Sequence, residues 1–249
     1  MNREFSIVSM GTERETDSNG YMCVSNYDFK KNIRILCPQE HNGYDIDFSR
    51  DNLIIKGNPT YEEITVSRFQ LIGSLSIPNW ISNNLSVAVI GAGSVGIGTC
   101  FELLRKKFVN INLWSRRQVD LRDINQYIKC SQGWNSSPDI YIECTGEKEI
   151  VEKIFKYALP KSIIILTGTP RNIPNINVLD IHRKNLTVLG GHELTGWELE
   201  DRQQIFSEII KWHLDNKWNI RSLVRKHIGI KEKENILNKT FKEPFHIMF

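Results

Sequence analysis

The sequence predicts an α/β fold: a doubly wound parallel sheet, preceded by a smaller, mostly-β part. Two observations carry this. From Leu85 onward, apolar strand patterns alternate with amphipathic helix patterns, and that alternation implies a parallel sheet with helices on both faces. Before Leu85 the chain instead shows short β-segments broken by Asn, Asp and Gly.

The elements follow in order. Phe5 to Ser9, Tyr21 to Ser25, Ile33 to Cys37 and Leu53 to Lys56 are candidate strands, and Glu62 to Ile77 a helix. Pro78, Asn79 and the Asn83-Asn84 pair mark a boundary. Leu85 to Ile90 is a near-continuous apolar run, as a strand covered on both faces requires. Val95 to Lys107 is a helix with Val95, Cys100, Leu103, Leu104 and Phe108 on its inner stripe. Asn110 to Trp114 is the next strand and Asp123 to Ser131 a short helix. Asp139 to Glu143 is a strand, Glu147 to Leu159 a helix, Ser162 to Thr167 and Leu186 to Gly190 strands, and Asp201 to Asp215 a helix. Residues from about Val224 return to short mixed segments. The domain boundaries expected are therefore 1–82 with 224–249, and 83–223.

Composition excludes several classes. The chain has 249 residues, 40% hydrophobic and 24% charged, which is globular and not disordered. No run of eighteen apolar residues occurs, so no membrane span is expected. The start, Met1-Asn2-Arg3-Glu4, leads into no apolar signal region, so a cytoplasmic location is expected. Net charge is +3, from 32 basic and 29 acidic residues, which does not point to nucleic acid. The five cysteines, Cys23, Cys37, Cys100, Cys130 and Cys144, have no CxxC spacing, so neither a disulfide framework nor a zinc ribbon is expected. Cys23, Cys37 and His41 lack the fourth ligand and the short-spaced pair of a structural metal site.

The chemistry-bearing motif is Gly91-Ala92-Gly93-Ser94-Val95-Gly96, a GxGxxG that follows an apolar strand and opens a helix. This is the context of the Rossmann dinucleotide turn. Gly91 allows the tight turn, Gly93 allows backbone to approach a diphosphate, and Gly96 allows helix and strand to pack closely. Ser94 and Val95 begin the helix, whose N–H groups and dipole favour phosphate. The residue that reads the adenosine ribose lies about twenty residues on, where an NAD enzyme carries an acid. Here that place holds Ser115, Arg116 and Arg117. Guanidinium groups pair with a 2′-phosphate and a carboxylate repels it, so the cofactor expected is NADP(H).

These motifs and their order resemble the medium-chain dehydrogenases/reductases, the alcohol dehydrogenase and quinone reductase superfamily. The likeness rests on VAVIGAGSVGIG at 87–98, DIYIECTG at 139–146, SIIILTGTP at 162–170 and LTVLGGHE at 186–193. The resemblance implies that Cys144, Thr145 and Gly146 lie near the adenosine and ribose. It also implies that Thr167, Gly168, Thr169 and Gly191 lie along the nicotinamide half. The first part of the chain would then be a reduced GroES-like domain. Ser9-Met10-Gly11-Thr12-Glu13 looks like the family's Cys-Gly-Thr-Asp segment, and Gly20-Tyr21-Met22 like its Gly-His-Glu segment. Met10 and Tyr21 stand where zinc members have Cys and His, and neither side chain is a good zinc ligand, so no metal is expected. Zinc-free members that begin Ser-x-Gly-Thr-Glu, such as bacteriochlorophyllide-dehydrogenase-like proteins, are nearest in flavour.

Two departures from the family are visible. Only seven residues separate Glu13 from Tyr21, where the family has a longer loop. Only 21 residues lie between Arg117 and Asp139, so a crossover is expected to be pruned and the sheet to lack one strand.

Without a metal, the candidate catalytic residues are Thr12 at the family's hydroxyl-relay position, Tyr21 as a carbonyl-polarising phenol, Glu13 as an orienting group, and His192 near the nicotinamide end. His41 is expected to be structural. A short-chain reductase is excluded because Pro160 breaks the Tyr157-to-Lys161 helix that its Tyr-x-x-x-Lys pair needs. No GxSxG elbow supports a serine hydrolase. The function expected is an NADP(H)-dependent, zinc-independent oxidoreductase on a small carbonyl, imine or enone in a biosynthetic pathway. The alternative is a non-catalytic NADP(H)-binding sensor or partner protein. A homodimer through the sheet edge near Leu186 to Gly190 is expected by analogy.

Overall fold

The computed structural model describes residues 3–15, 20, 22–41, 47–48, 50–134, 136–229, 236–239 and 241–249. Its first elements are β1 (Arg3–Val8), α1 (Met10–Glu15), β2 (Cys23–Asp28), β3 (Ile33–Cys37), β4 (Leu53–Ile55) and α2 (Tyr61–Ser76). Then come β5 (Val87–Ile90), α3 (Ser94–Arg105), β6 (Ile111–Ser115), β7 (Ile128–Gln132), β8 (Ile140–Glu143) and α4 (Lys148–Tyr157). The last are β9 (Ile163–Leu166), α5 (Val178–Lys184), β10 (Thr187–Gly190), α6 (Leu199–Asn216), β11 (Val224–His227) and β12 (Phe245–Met248).

Contacts divide the chain into two units, residues 1–68 with 197–249, and residues 69–196. The sequence places these boundaries later, at 82/83 and 223/224. Two helices account for the difference. In α6, Gln203 exchanges hydrogen bonds with the Ile54 backbone and Arg202 pairs with Asp51, so this helix joins the first unit. The second half of α2 packs on α3, where Gln70 donates to Glu102 at 3.1 Å, and so joins the second.

The first unit is a six-stranded sheet in the order β11-β12-β1-β2-β3-β4. All its pairings are antiparallel except β11 with β12. Phe5, Ile7 and Val8 of β1 are fully buried because neighbours cover this central strand on both sides. Thr60 and Glu63 start α2 with a reciprocal cap: Thr60 N donates to Glu63 Oε2 at 2.6 Å, and Glu63 N to Thr60 Oγ1 at 3.2 Å.

The second unit is a six-stranded, wholly parallel sheet in the order β10-β9-β8-β5-β6-β7. Every residue of β5 is buried, as its apolar run demands. Successive strands run outward from β5 in opposite directions, so the strand order reverses between β5 and β8 and opens a crevice at their carboxyl ends. In α4, Val151, Ile154 and Phe155 are buried against the sheet.

Two expectations are corrected here. The sheet does not lack a strand, and the segment 123–131 is not a helix. A 3₁₀ turn at Arg122–Gln126 is followed by β7, which pairs in parallel with β6. A 3₁₀ turn advances about 2 Å per residue against 1.5 Å in an α-helix, so it spans the crossover in fewer residues. Leu121 N donates to the Asn125 side chain at 2.9 Å, and that side chain donates to Asp120 at 2.8 Å, which closes the turn.

Candidate functional site

The site begins where β5 turns into α3. Gly91 has a φ of +108°, a left-handed conformation that glycine adopts without strain. A Cβ there would also lie 2.7 Å from Thr145 Cγ2. A Cβ on Gly96 would strike the Gly91 carbonyl oxygen, so this position joins helix to turn with no room for a side chain. Gly93 differs: a Cβ there would meet nothing within 4 Å. Gly93 is the N-cap of α3 and, as a glycine, has no side chain with which to accept from the first N–H groups of the helix. The positive end of a twelve-residue helix therefore opens at Gly93, beside buried Ser94 and half-buried Val95.

Ser115 ends β6 next to this turn, and its Oγ accepts from Arg117 N at 3.2 Å. Arg117 Nη2 donates to the Ala92 carbonyl at 3.4 Å, which lays the guanidinium along the glycine turn. Arg116 is exposed.

The carboxyl ends of β8, β9 and β10 extend the site. Glu143, fully buried at the end of β8, escaped the sequence reading. Its carboxylate accepts from Thr145 N at 2.6 Å, from Thr145 Oγ1, and from Gly146 N at 3.1 Å. Burial pushes the Glu143 carboxyl above the usual range, and these hydrogen bonds oppose the rise. The signal available was an acidic residue closing an otherwise apolar strand. Gly146 has a φ of +68° and lies against the Thr169 carbonyl, and a Cβ on Gly168 would sit 2.5 Å from Gly146 N. Cys144 points under α3, where its sulfur lies 3.9 Å from Thr99 Oγ1, and burial raises its thiol far above the ordinary range. Cys144 is thus a packing residue of the turn. Gly191 faces Thr167, whose hydroxyl is buried with no hydrogen-bond partner among the described residues.

The structure therefore brings together Gly91, Gly93, Gly96, Ser115, Arg117, Thr145, Gly146, Gly168, Thr169 and Gly191 around the carboxyl ends of one parallel sheet. The open helix start, the adjacent guanidinium and the orphaned Thr167 hydroxyl fit a phosphorylated dinucleotide. His192 follows β10 on an exposed loop, where its Nδ1 accepts from Leu194 N at 3.3 Å and contacts Thr195 Oγ1 at 3.1 Å.

By sequence, no family model and no curated protein matches the chain. Solved structures do match. A Sinorhizobium meliloti 1021 protein described as a zinc-binding dehydrogenase, bound to NADP, superposes with a TM-score of 0.70 at 15% identity, over 100% of this chain and 90% of that one. TarJ of S. aureus in complex with NADPH gives 0.70 at 13%, over 99% and 89%. The 2R,3R-butanediol dehydrogenase of Bacillus subtilis gives 0.67 at 14%, over 99% and 90%. The chain shares the fold of these structures.

Within that fold, the candidates of the first unit are arranged as follows. Met10 packs against the cluster of Val8, Ile236 and Met248, so its thioether is part of a hydrophobic core. Thr12 is exposed, and its Oγ1 accepts from Ser9 Oγ at 3.2 Å. Glu13 is buried, with Oε1 accepting from Ser9 N and Oε2 from His41 Nε2, each at 2.8 Å. His41 is thus a structural partner of Glu13. Tyr21 lies outside the described residues. Among the described residues, no group of three His, Cys, Asp or Glu side chains is placed to hold a metal ion. The first unit also contains a cavity of about 450 Å³ lined by Arg34, Thr60, Tyr61, Glu62, Arg221 and Lys226. Its charges are largely matched, with Lys226 paired to Glu62 at 2.8 Å and Arg34 to Glu4 at 3.7 Å.

Proposed function

We propose that this protein is an NADP(H)-dependent, zinc-independent oxidoreductase that acts on a small organic carbonyl, imine or enone, in a biosynthetic role. The observation that carries the reading is the glycine-capped start of α3 at Gly93, with Arg117 laid against Ala92 beside it. The NADP and NADPH bound to two proteins of the same fold support it.

The first N–H groups of α3, from Ser94 to Gly96, would donate to the cofactor diphosphate. Ser115, Arg116 and Arg117 would hold the 2′-phosphate through charge-assisted hydrogen bonds. The turn from Cys144 to Gly146, fixed by Glu143, would back the adenosine ribose. The Thr167 hydroxyl, with Gly168, Thr169 and Gly191, would meet the nicotinamide half. When bound, the cofactor supplies the hydride. The chain must orient the substrate and supply a proton, for which Thr12, Tyr21 and His192 carry suitable groups. Glu13 would act indirectly, because both its oxygens are engaged. The packing of Met10 into a core supports zinc independence. The outer edge of β10 exposes Thr187, Val188 and Gly190, which supports a homodimer through that edge. No helix among the described residues is long and apolar enough to cross a membrane, and five cysteines without paired spacing support a cytoplasmic location.

Separate titrations with NADPH and NADH, followed by tryptophan fluorescence, test the reading. NADPH binds more tightly, and Arg117→Ala lowers its affinity by about tenfold or more without changing NADH. Equal affinity for the two cofactors in the unaltered protein rules out the 2′-phosphate site. Loss of NADPH absorbance with a panel of carbonyls and enones tests turnover. Tight NADPH binding with no turnover across that panel favours the non-catalytic sensor, a reading supported by the engagement of Glu13 in a buried pair.

A further inference from the structure

The strands β2 and β3 set two cysteines directly opposite each other. Cys23, the first residue of β2, is the register partner of Cys37, the last residue of β3. Directly opposed residues of an antiparallel pair have Cα atoms about 4.5–5.5 Å apart and side chains on the same face. A disulfide needs Cα atoms about 4.4–6.8 Å apart, so register alone satisfies the requirement. The two side chains share one buried cluster with Ile35, with Cys23 Sγ donating to Gln39 Oε1 at 3.7 Å and Cys37 Sγ to the Ile35 carbonyl at 3.8 Å. We infer that Cys23 and Cys37 are a redox pair, which a small peroxide converts to a cross-strand disulfide at the end of the β2–β3 hairpin.

The roles of the two sulfurs differ. Its neighbour Cys37 holds Cys23 below the ordinary thiol range, outweighing burial. The same proximity to Cys23, with burial, raises Cys37 far above it. Cys23 is therefore the attacking thiolate. Its sulfur takes one oxygen of hydrogen peroxide, the O–O bond breaks, and the departing hydroxide gains a proton to become water. Cys37 sulfur then attacks the sulfenic sulfur of Cys23, the S–O bond breaks, and the Cys37 proton leaves with that oxygen as a second water. Two electrons pass from the thiols to the peroxide, and two thiols with one peroxide yield one disulfide and two waters. Both thiols are nearly inaccessible, at 1% and 0% exposure, which restricts the oxidant to a molecule of this size.

The position gives the bond a consequence. The chain leads from one end of the bridge back to Gly20 and from the other on to His41. Gly20 lies against the His41 ring, and His41 holds the Glu13 carboxylate at 2.8 Å. A bridge at Cys23 and Cys37 therefore fixes the spacing of the two segments that frame this buried pair.

The test is a mass map of the full chain treated with hydrogen peroxide, alkylated in denaturant and digested without reductant. Trypsin cuts at Lys30, Lys31 and Arg34, between the two cysteines, so a bridge appears as two joined peptides. Those joined peptides are expected after peroxide, and are expected to separate on reduction, with Cys100 and Cys144 alkylated throughout. Recovery of Cys23 and Cys37 as alkylated thiols while Cys130 is oxidised overturns the inference, as does Cys23 joined to Cys130. In Cys37→Ser, Cys23 is expected to stop as a sulfenic acid that dimedone traps, with no such adduct in the unaltered protein. A dimedone adduct on Cys23 in both proteins overturns it. If that variant does not fold, the map of the unaltered chain decides by itself.

Discussion

Glu143 offers the sharpest perturbation. Its carboxylate satisfies three donors of one short turn: Thr145 N, Thr145 Oγ1 and Gly146 N. Glu143→Ala removes the acceptor of all three at once and leaves the donors in a partly buried place. After partial rehydration each costs about 1 kcal/mol, so the second unit should lose about 3 kcal/mol. Glu143→Gln keeps one acceptor oxygen for Thr145 and removes a desolvated charge, so its loss should stay below about 1.5 kcal/mol. The carboxyl binds protons more readily folded than unfolded, so its own contribution falls as pH rises above its ordinary value of 4.5 towards its raised folded value. The Gln variant should lack that slope. The assay is urea unfolding at several pH values beside an NADPH titration, in which Glu143→Ala should weaken binding and Glu143→Gln should weaken it less. An alanine variant with unchanged unfolding free energy and unchanged NADPH affinity would refute the role given to this side chain.

Other substitutions probe the same frame. Gly96→Ala puts a methyl on the Gly91 carbonyl and should abolish measurable NADPH binding in a fluorescence titration, because the turn must open to admit it. Gly98→Ala places a Cβ 2.5 Å from the Phe69 carbonyl carbon and 2.7 Å from Gln70 N, so α2 and α3 must separate, and unfolding should detect a loss of about 2–3 kcal/mol. Burial lowers His213 to about 3, so its folded form takes up protons later than its unfolded form, and stability should fall as pH drops from 6.5 towards 3. His213→Phe should flatten acid unfolding over that window, and a variant that keeps the full acid slope would locate the sensitivity elsewhere.

The parallel sheet was readable wherever burial made the pattern uniform. Val87 to Ile90 is apolar at every position because helices cover both faces, and the glycines after it have a stereochemical necessity that survives in sequence. β7 was not readable, because it is an edge strand with only Ile128 buried while Lys129, Cys130 and Gln132 face outward. α5 has no buried residue, so it carries no apolar stripe by which to find it. In the site, the glycine turn and the Ser115-to-Arg117 segment could be named from spacing. The Glu13–His41 pair could not, since its members are 28 residues apart and meet only through the hairpin between them. Glu143 was read only as the end of a strand, because its importance lies in three donors supplied by the turn after it.

The strand order of the first unit also dictates a sequence of events during synthesis. β12, from Phe245 to Met248, lies between β1 and β11, so β1 waits for a strand made much later before its edge is covered. The second unit is one unbroken stretch, 69–196, and has all its strands in hand long before that. A nascent chain would thus collapse first around β5, while β1 keeps an open edge whose Phe5, Ile7 and Val8 are the residues most in need of cover. The stretch left needing cover in a nascent chain would be β1, not the glycine turn.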